Sequence, residues 1–428
     1  MNATAVAFLA CGTAVAATFA GLAESNARLG SAHFLTYMAA GAAIYSIAVA
    51  LLFRGHVPSG STLVVCLLLG LVARYPLAMR APGALHDGHR YVWDARLQRA
   101  GLNPYVVLPN DPAAARHHTR ETRTMNNPDV PSPYPPGAQY FFRAVTSVQE
   151  SVTAIKIALI GCEVLAVFFM WSWLTARGVS PGWTLVYAWH PIVIFETSGG
   201  AHLDALGTML LLLAAASLVR GRALLSAIIF AASISIKFLP LVLAPLLARR
   251  MRPRHVAAGA GVLAALYLPF LSRGLIPPGS MATFVDRFRF NQLAFEWFAA
   301  PLGPRVAVTV AIVAGLSTAL AFSARRSDDA WTFAWPMGAA LLLSPVIYPW
   351  YLIWLVPFAV DRASLPLLVW SVAIIPTYTT WAIAPGERWA VSSAAIVIQY
   401  ASIATAAGVV ILVQRRAPDE QSRLASPD

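Results

Sequence analysis

Four side chains able to do chemistry, Asp87, Arg90, Tyr91 and Asp94, fall at i, i+3, i+4 and i+7 within His86-Asp87-Gly88-His89-Arg90-Tyr91-Val92-Trp93-Asp94. On a helix they share one face, and a carboxylate so placed can serve as a general base. The pattern predicts a helix up to Ala100, stopped by Gly101 and Asn103-Pro104. Trp93, Val92 and Leu97 suit a helix lying among lipid headgroups. The bland alternative is a solvated interfacial helix with an Asp–Arg pair on its surface.

A second set lies inside apolar sequence, where each ionisable side chain is costly and functional by default. It comprises Arg74, Lys156, Glu163, Glu196, His202, Asp204 and Lys237. Lys156 and Lys237 are the only lysines in the chain; every other basic side chain apart from histidine is arginine. Lysines kept only at these positions suggest that a compact point charge is wanted. The competing reading for each is a buried ion pair serving packing alone, for example Glu163 with Arg74.

The elements that must position these groups are membrane helices. Of 428 residues, 58% are hydrophobic and 12% charged, against about 25% charged in soluble domains. Apolar runs of spanning length recur from end to end; the first, 5–22, is read as a retained helix rather than a signal peptide. Cys11, Cys66 and Cys162 lie in such runs and read as core residues, not as a disulfide framework or zinc site. The net charge of +12 fits arginine-loaded cytoplasmic loops, an anionic substrate or lipid headgroup, or both. No nucleic-acid motif is present.

Basic clusters at Arg220/Arg222, Arg249-Arg250-Met251-Arg252-Pro253-Arg254, Arg325-Arg326 and Arg415-Arg416 fall on one side only if two runs are hairpins of short helices. One, 223–248, breaks near Lys237-Phe238-Leu239-Pro240; the other, 331–360, breaks at Tyr348-Pro349-Trp350-Tyr351. Short or broken helices are tolerated where they line a hydrated cavity. The expected fold is an all-α polytopic membrane protein of about 12 to 14 transmembrane or partial helices. Residues 1–80 form N-terminal helices, 81–151 an extracytoplasmic catalytic loop, 152–413 the main bundle, and 414–428 a disordered cytoplasmic tail. Both termini are then cytoplasmic in a plasma membrane protein. Within the loop, Asn126 to Gly137 is too rich in proline for helix or central strand and favours a stiff extended path, over the mouth of the bundle or as a plain linker. Arg116, His117, His118, Arg120 and Arg123 are expected mostly to face solvent.

Asp87-x-x-Arg90-Tyr91-x-Trp93-Asp94, Gly101-x-Asn103-Pro104-Tyr105 and Tyr134-Pro135-Pro136 together resemble the first outer loop of a bacterial glycosyltransferase group. These are the GT-C-fold enzymes that use polyprenyl-phosphate sugars, above all the polyprenol-phosphomannose-dependent α-mannosyltransferases. Trp189-His190-Pro191 through Glu196 to His202-x-Asp204, Ile236-Lys237-Phe238-x-Pro240, Arg289-Phe290-Asn291 and Pro349-Trp350-Tyr351 are similar to that group's later markers. The similarity covers roughly residues 70 to 360 and is specific only in combination. The chain departs from the pattern at His86, where a second acid is common, and at His190, Asn127 and Tyr348.

The resemblance implies transfer of a sugar, mannose first, to a hydroxyl of a cell-envelope glycolipid or polysaccharide, with inversion. Asp87 would be the base. Lys237, Arg90 and Arg289 would meet the donor phosphate. Tyr91, Trp93, Tyr134 and Trp350 would stack on sugar rings, while Asp94, Glu196, His202 and Asp204 would bind hydroxyls or shape the site. There is no Asp-x-Asp tripeptide, so neither a metal nor a cofactor is expected. The partners would be the polyprenyl-phosphate donor, the glycan acceptor and the bilayer. The rival reading is a transporter or flippase of lipid-linked or small polar solutes, which buried charges and broken helices also suit. A scaffold for envelope enzymes would leave the buried charges unexplained.

Overall fold

The computed structural model describes residues 2–83, 86–271, 281–324, 329–383 and 389–424, without the side chains of 281–282 and 415–424. Arg325-Arg326 and the side chains of Arg415 and Arg416 therefore lie outside the described residues. Among these residues the regular elements are helical, with one isolated bridge between Phe290 and Val346. Seven helices are long and apolar enough to cross a membrane: Ala3–Glu24, Ala32–Phe53, Gly60–Met79, Val152–Ala176, Pro304–Ser323, Arg362–Ala382 and Ser393–Gln414. The chain is an all-α polytopic membrane protein.

Helix starts follow their caps. The side chains of Asn2, Ser31 and Ser151 accept from the amides of Ala5, Phe34 and Ala154 at 2.8, 3.3 and 3.1 Å, each cap worth about 1 kcal/mol. Helix length then sorts the elements. Val152–Ala176 has 25 residues, about 37 Å at the standard rise, and outspans a hydrocarbon core of about 30 Å. Ala223–Ile234 has 12 and cannot cross alone.

Both expected breaks are present. After Ala223–Ile234 the chain turns at Lys237 and resumes as a tight turn, Leu239–Leu243, and a short helix, Ala244–Ala248. Pro240 has no amide proton to continue a helix. The later run stops at Leu342 and resumes at Pro349. Its two ends are pinned together, because the Trp331 amide donates to Asp361 Oδ2 at 3.1 Å. Deeper in the bundle Arg74 and Glu163 form a bidentate pair, Nε to Oε2 at 2.7 Å and Nη2 to Oε1 at 3.2 Å. It ties Gly60–Met79 to Val152–Ala176 in the packing role weighed for it.

One expectation is corrected. The loop helix is Asp87–Arg99, bounded as its sequence indicates, but ten of its 13 residues are buried. It is not a solvated helix with its ion pair on the surface. Tyr91 stacks on Phe142 of the helix Pro136–Val148, centroids 4.4 Å apart, and Trp93 stacks on His118 at 3.9 Å. Trp93, Leu97, Ala114 and Met125 make a small core belonging to the loop itself. The final helix runs Ser393–Leu424. The proline-rich stretch is not extended throughout: it turns at Asn127–Val130, where Asn127 has φ +46° and the Val130 amide donates to the Asn127 carbonyl at 3.4 Å. Pro136-Gly137 instead opens a helix, at the one position where a missing amide proton costs nothing.

Candidate active site

His86 caps the loop helix. Its Nδ1 accepts from the Gly88 amide and its Nε2 donates to the Gly199 carbonyl, both at 3.0 Å. Burial holds this imidazole well below its usual range, at about 4, although the Gly199 carbonyl pulls the other way. A neutral ring is what the two bonds require. The cap sets Asp87 in the first turn, beside the start of Asp204–Val219 and the turn before it.

That turn carries the centre of the site. Asp87 Oδ2 lies 3.4 Å from His202 Nε2, and His202 Nδ1 lies 2.7 Å from Glu196 Oε2. Glu196 Oε1 accepts from the Tyr378 hydroxyl, and Asp87 Oδ1 accepts from Asn126 Nδ2 at 2.7 Å. One imidazole thus spans two carboxylates, and its flat face stacks on Trp350 at 3.8 Å. Burial alone would push the Asp87 carboxyl up. The hydrogen bond and charge of His202, with Asn126 after them, outweigh burial and hold it at about 2. Burial likewise opposes the charge on His202, but Glu196 and Asp87 raise it to about 9. At neutral pH His202 is therefore an imidazolium facing the ionised Asp87.

The backbone is shaped to fit this chain of groups. Ala201 adopts φ +56°, a left-handed conformation costing about 1 kcal/mol or more away from glycine. At Gly200 a Cβ would collide with Glu196 Oε2 and His202 Nδ1, so only glycine lets the turn carry that pair.

Lys237, at the first hairpin break, donates to both oxygens of Asp204, at 2.7 and 2.8 Å, and lies 4.2 Å from the centre of the Tyr351 ring. Trp354 Nε1 donates to the same Asp204 Oδ1 at 2.6 Å. Gly207 makes this possible, since any Cβ there would strike the Trp354 ring.

A cavity of about 1450 Å³ joins these groups. Asp87, Arg90, Tyr91, Tyr134, Glu196, His202, Lys237, Arg289 and Trp350, all singled out in the sequence, line it. Its lining also includes the apolar side chains of Phe284, Phe288, Val308, Ile312 and Leu239; Val308 and Ile312 belong to the membrane-length helix Pro304–Ser323. Trp93, Asp94 and Asp204 do not line it. Trp93 is fully buried in the loop core. Asp94 is fully buried and takes Arg90 Nε at 3.0 Å, Gln139 Nε2 at 3.0 Å and the Ser132 hydroxyl. Asp204 stands behind Lys237.

The geometry also redistributes Arg90. The resemblance implies a donor-phosphate role for it, but beyond Asp94 its remaining nitrogens donate to the carbonyls of Val130 at 2.8 Å and Asn127 at 3.4 Å. It braces the loop against Asp94. Asn126 and Tyr378 were not picked out as site residues. Asn126 sits in a stretch whose prolines masked it, and Tyr378 lies in the eight-residue 3-10 segment Ile375–Ala382, with no motif around it. Among the described residues no group of three His, Cys, Asp or Glu is arranged to hold a metal ion.

A family model described as alpha-(1->6)-mannopyranosyltransferase, N-terminal domain, matches residues 2–252, more than half of the chain. The chain belongs to that family. It is therefore a glycosyltransferase, and the transporter alternative falls away. No curated protein matches it. The matched region of this mannosyltransferase holds Asp87, Glu196, His202, Asp204 and Lys237; Arg289, Trp350 and Tyr378 come from beyond it.

Proposed function

We propose that this mannosyltransferase takes its sugar from a polyprenyl-phosphate donor and passes it, with inversion, to a hydroxyl of a cell-envelope glycolipid or polysaccharide at the outer face of the plasma membrane. One observation carries the reading: Asp87 and Lys237 face a single cavity whose lining includes apolar side chains of a membrane-length helix. A carboxylate, a cation and a lipid-compatible lining are what a lipid-phosphate sugar needs.

Asp87 accepts the proton of the acceptor hydroxyl as that oxygen forms its bond to the anomeric carbon. The carbon–oxygen bond to the donor phosphate breaks on the opposite side, and the phosphate departs with the electron pair. Lys237 and Arg289 stabilise the charge that develops on it. Lys237 is suited to this because Asp204 holds its ammonium at the cavity wall. Arg90 is left as a brace, since its donors are already engaged in the loop. Trp350 and Tyr134 offer ring faces to the sugars, and His202 fixes the orientation of Asp87.

The test is transfer by the purified protein from labelled polyprenyl-phosphate mannose, glucose and arabinofuranose, with GDP-mannose as control donor. The mannose lipid should give product of inverted anomeric configuration. Product from GDP-mannose alone, or with retained configuration, overturns the reading. For the sidedness, cysteines placed at Asn110 and Arg416 should label oppositely with an impermeant thiol reagent on intact cells. Labelling of both from outside defeats it.

A further inference from the structure

Lys156 is a buried cation that the transfer step leaves unused. It stands near the start of Val152–Ala176, is 1% exposed, and lines the same cavity as Lys237. The chain's two lysines differ in their partners. Lys237 is balanced by both oxygens of Asp204. Among the described residues Lys156 meets no carboxylate; its ammonium donates one hydrogen bond, to the Arg80 carbonyl at 3.0 Å. An ammonium has three protons to donate, so two remain for a ligand.

A buried cation without a counter-charge is strongly unfavourable, and packing alone would be served better by an apolar chain of the same length. Among the described residues nothing nearby supplies the missing anion. The carboxylates of Asp87 and Glu196 are engaged by His202, Asn126 and Tyr378. The adjoining cavity wall adds positive charge instead. Arg80 is half-buried there, and its guanidinium reaches the Ala27 carbonyl at 3.4 Å, while Arg28 is exposed at the rim.

We propose that Lys156 and Arg80 form a second anion subsite, which holds a phosphate ester carried by the acceptor while Lys237 holds the phosphate of the donor. The assignment to the acceptor rests on the donor reading above; the existence of the subsite does not. Its chemistry suits an acceptor glycan borne on an anionic lipid, and a cation so placed would favour that acceptor over a neutral glycoside.

Two measurements separate these claims. First, purified protein in neutral detergent is titrated with dodecyl phosphate and the bound equivalents counted by native mass spectrometry. The wild type should bind two, and Lys156→Met and Lys237→Met one each. A single equivalent in the wild type, or two in Lys156→Met, overturns the subsite. Inorganic phosphate run in parallel should compete weakly; if it fills the Lys156 site as well as the ester does, the ligand is free phosphate and the acceptor assignment fails. Second, kcat/KM is compared for mannose on a phospholipid and for octyl α-mannoside. Lys156→Met should lower the anionic-to-neutral ratio by roughly tenfold or more, and an unchanged ratio overturns the acceptor role. Should Lys156→Met not fold, Arg80→Gln is put through both measurements and should shift both in the same direction. If polyprenyl-phosphate mannose supports no transfer, the donor reading falls while the dodecyl phosphate count still decides the subsite.

Discussion

Asp87 and Asp94 sit two turns apart on one helix, yet they have opposite surroundings. Asp87 opens onto the cavity and shares a proton-rich partner, His202, with Glu196. Asp94 is sealed in the loop with Arg90, Ser132 and Gln139. The partners leave Asp87 held at about 2, whereas burial pushes the Asp94 carboxyl up despite Arg90. Spacing put both acids in one stripe. What separates their roles is which element each one meets, and only Asp87 meets the turn before Asp204–Val219.

The sharpest way to break this comparison is to neutralise each acid. Asp87→Asn keeps the shape but cannot take a proton, so transfer should fall about a hundredfold or more, while the lost pairing with His202 lowers the thermal midpoint by less than the Asp94 variant does. Asp94→Ala should act on the fold instead. It strands the buried Arg90 guanidinium and should cost about 3 kcal/mol, seen as a lower midpoint and faster proteolysis within 102–135. Adding Arg90→Met should recover part of that loss, the signature of a coupled pair. If Asp94→Ala is stable but inactive and Asp87→Asn works, the two roles are exchanged.

What the sequence made legible follows a physical line. Local signals were readable: the start and stop of the Asp87–Arg99 helix, and both hairpin breaks, because glycine and proline act on the backbone within a residue or two. The ionisable residues in apolar runs were readable as a set, because burial is costly for each. Their pairing was not, apart from Arg74 with Glu163. Arg90 has acids at i−3 and i+4, and only the tertiary setting chooses between them. The burial of the loop helix was hidden for the same reason. Its polar residues look like a wet face until Ser132, Gln139 and the Val130 carbonyl arrive from 35 or more positions away to satisfy them. Tyr378 comes from farther still, 182 positions from Glu196.

The pH dependence sharpens the role of His202. Its pKa is raised from the usual 6.5 to about 9, so its stabilising contribution is complete below about 6.5, declines as pH rises, and is gone above about 9. Asp87 is depressed from 3.8 to about 2, so its contribution is present above about 4 and is lost as pH falls through 2. The kcat/KM profile should hold through neutrality and drop on the alkaline side near 9, as the imidazolium that orients Asp87 loses its proton. His202→Gln should be slower and should lack that alkaline limb. The same limb in His202→Gln would assign it to another group.

The smallest effect is expected at Trp93, and it tests where the loop ends and the site begins. Both Trp93 and Trp350 are tryptophans beside a histidine, stacked on His118 at 3.9 Å and on His202 at 3.8 Å. From sequence each was a candidate to hold a sugar. Trp350 lines the cavity, whereas Trp93 is fully buried among Leu97, Ala114 and Met125. Trp350→Ala removes a ring face open to substrate and leaves His202 without its stacking partner, so KM for donor or acceptor should rise about tenfold. Trp93→Phe keeps an aromatic ring in the loop core, loses a little packing, and should cost about 1 kcal/mol in stability. Its kcat/KM at a permissive temperature should stay within about twofold of the wild type, about 0.4 kcal/mol. A tenfold loss in Trp93→Phe with an unaltered thermal midpoint would mean that Trp93 reaches the sugar, and that the loop opens to admit it during turnover.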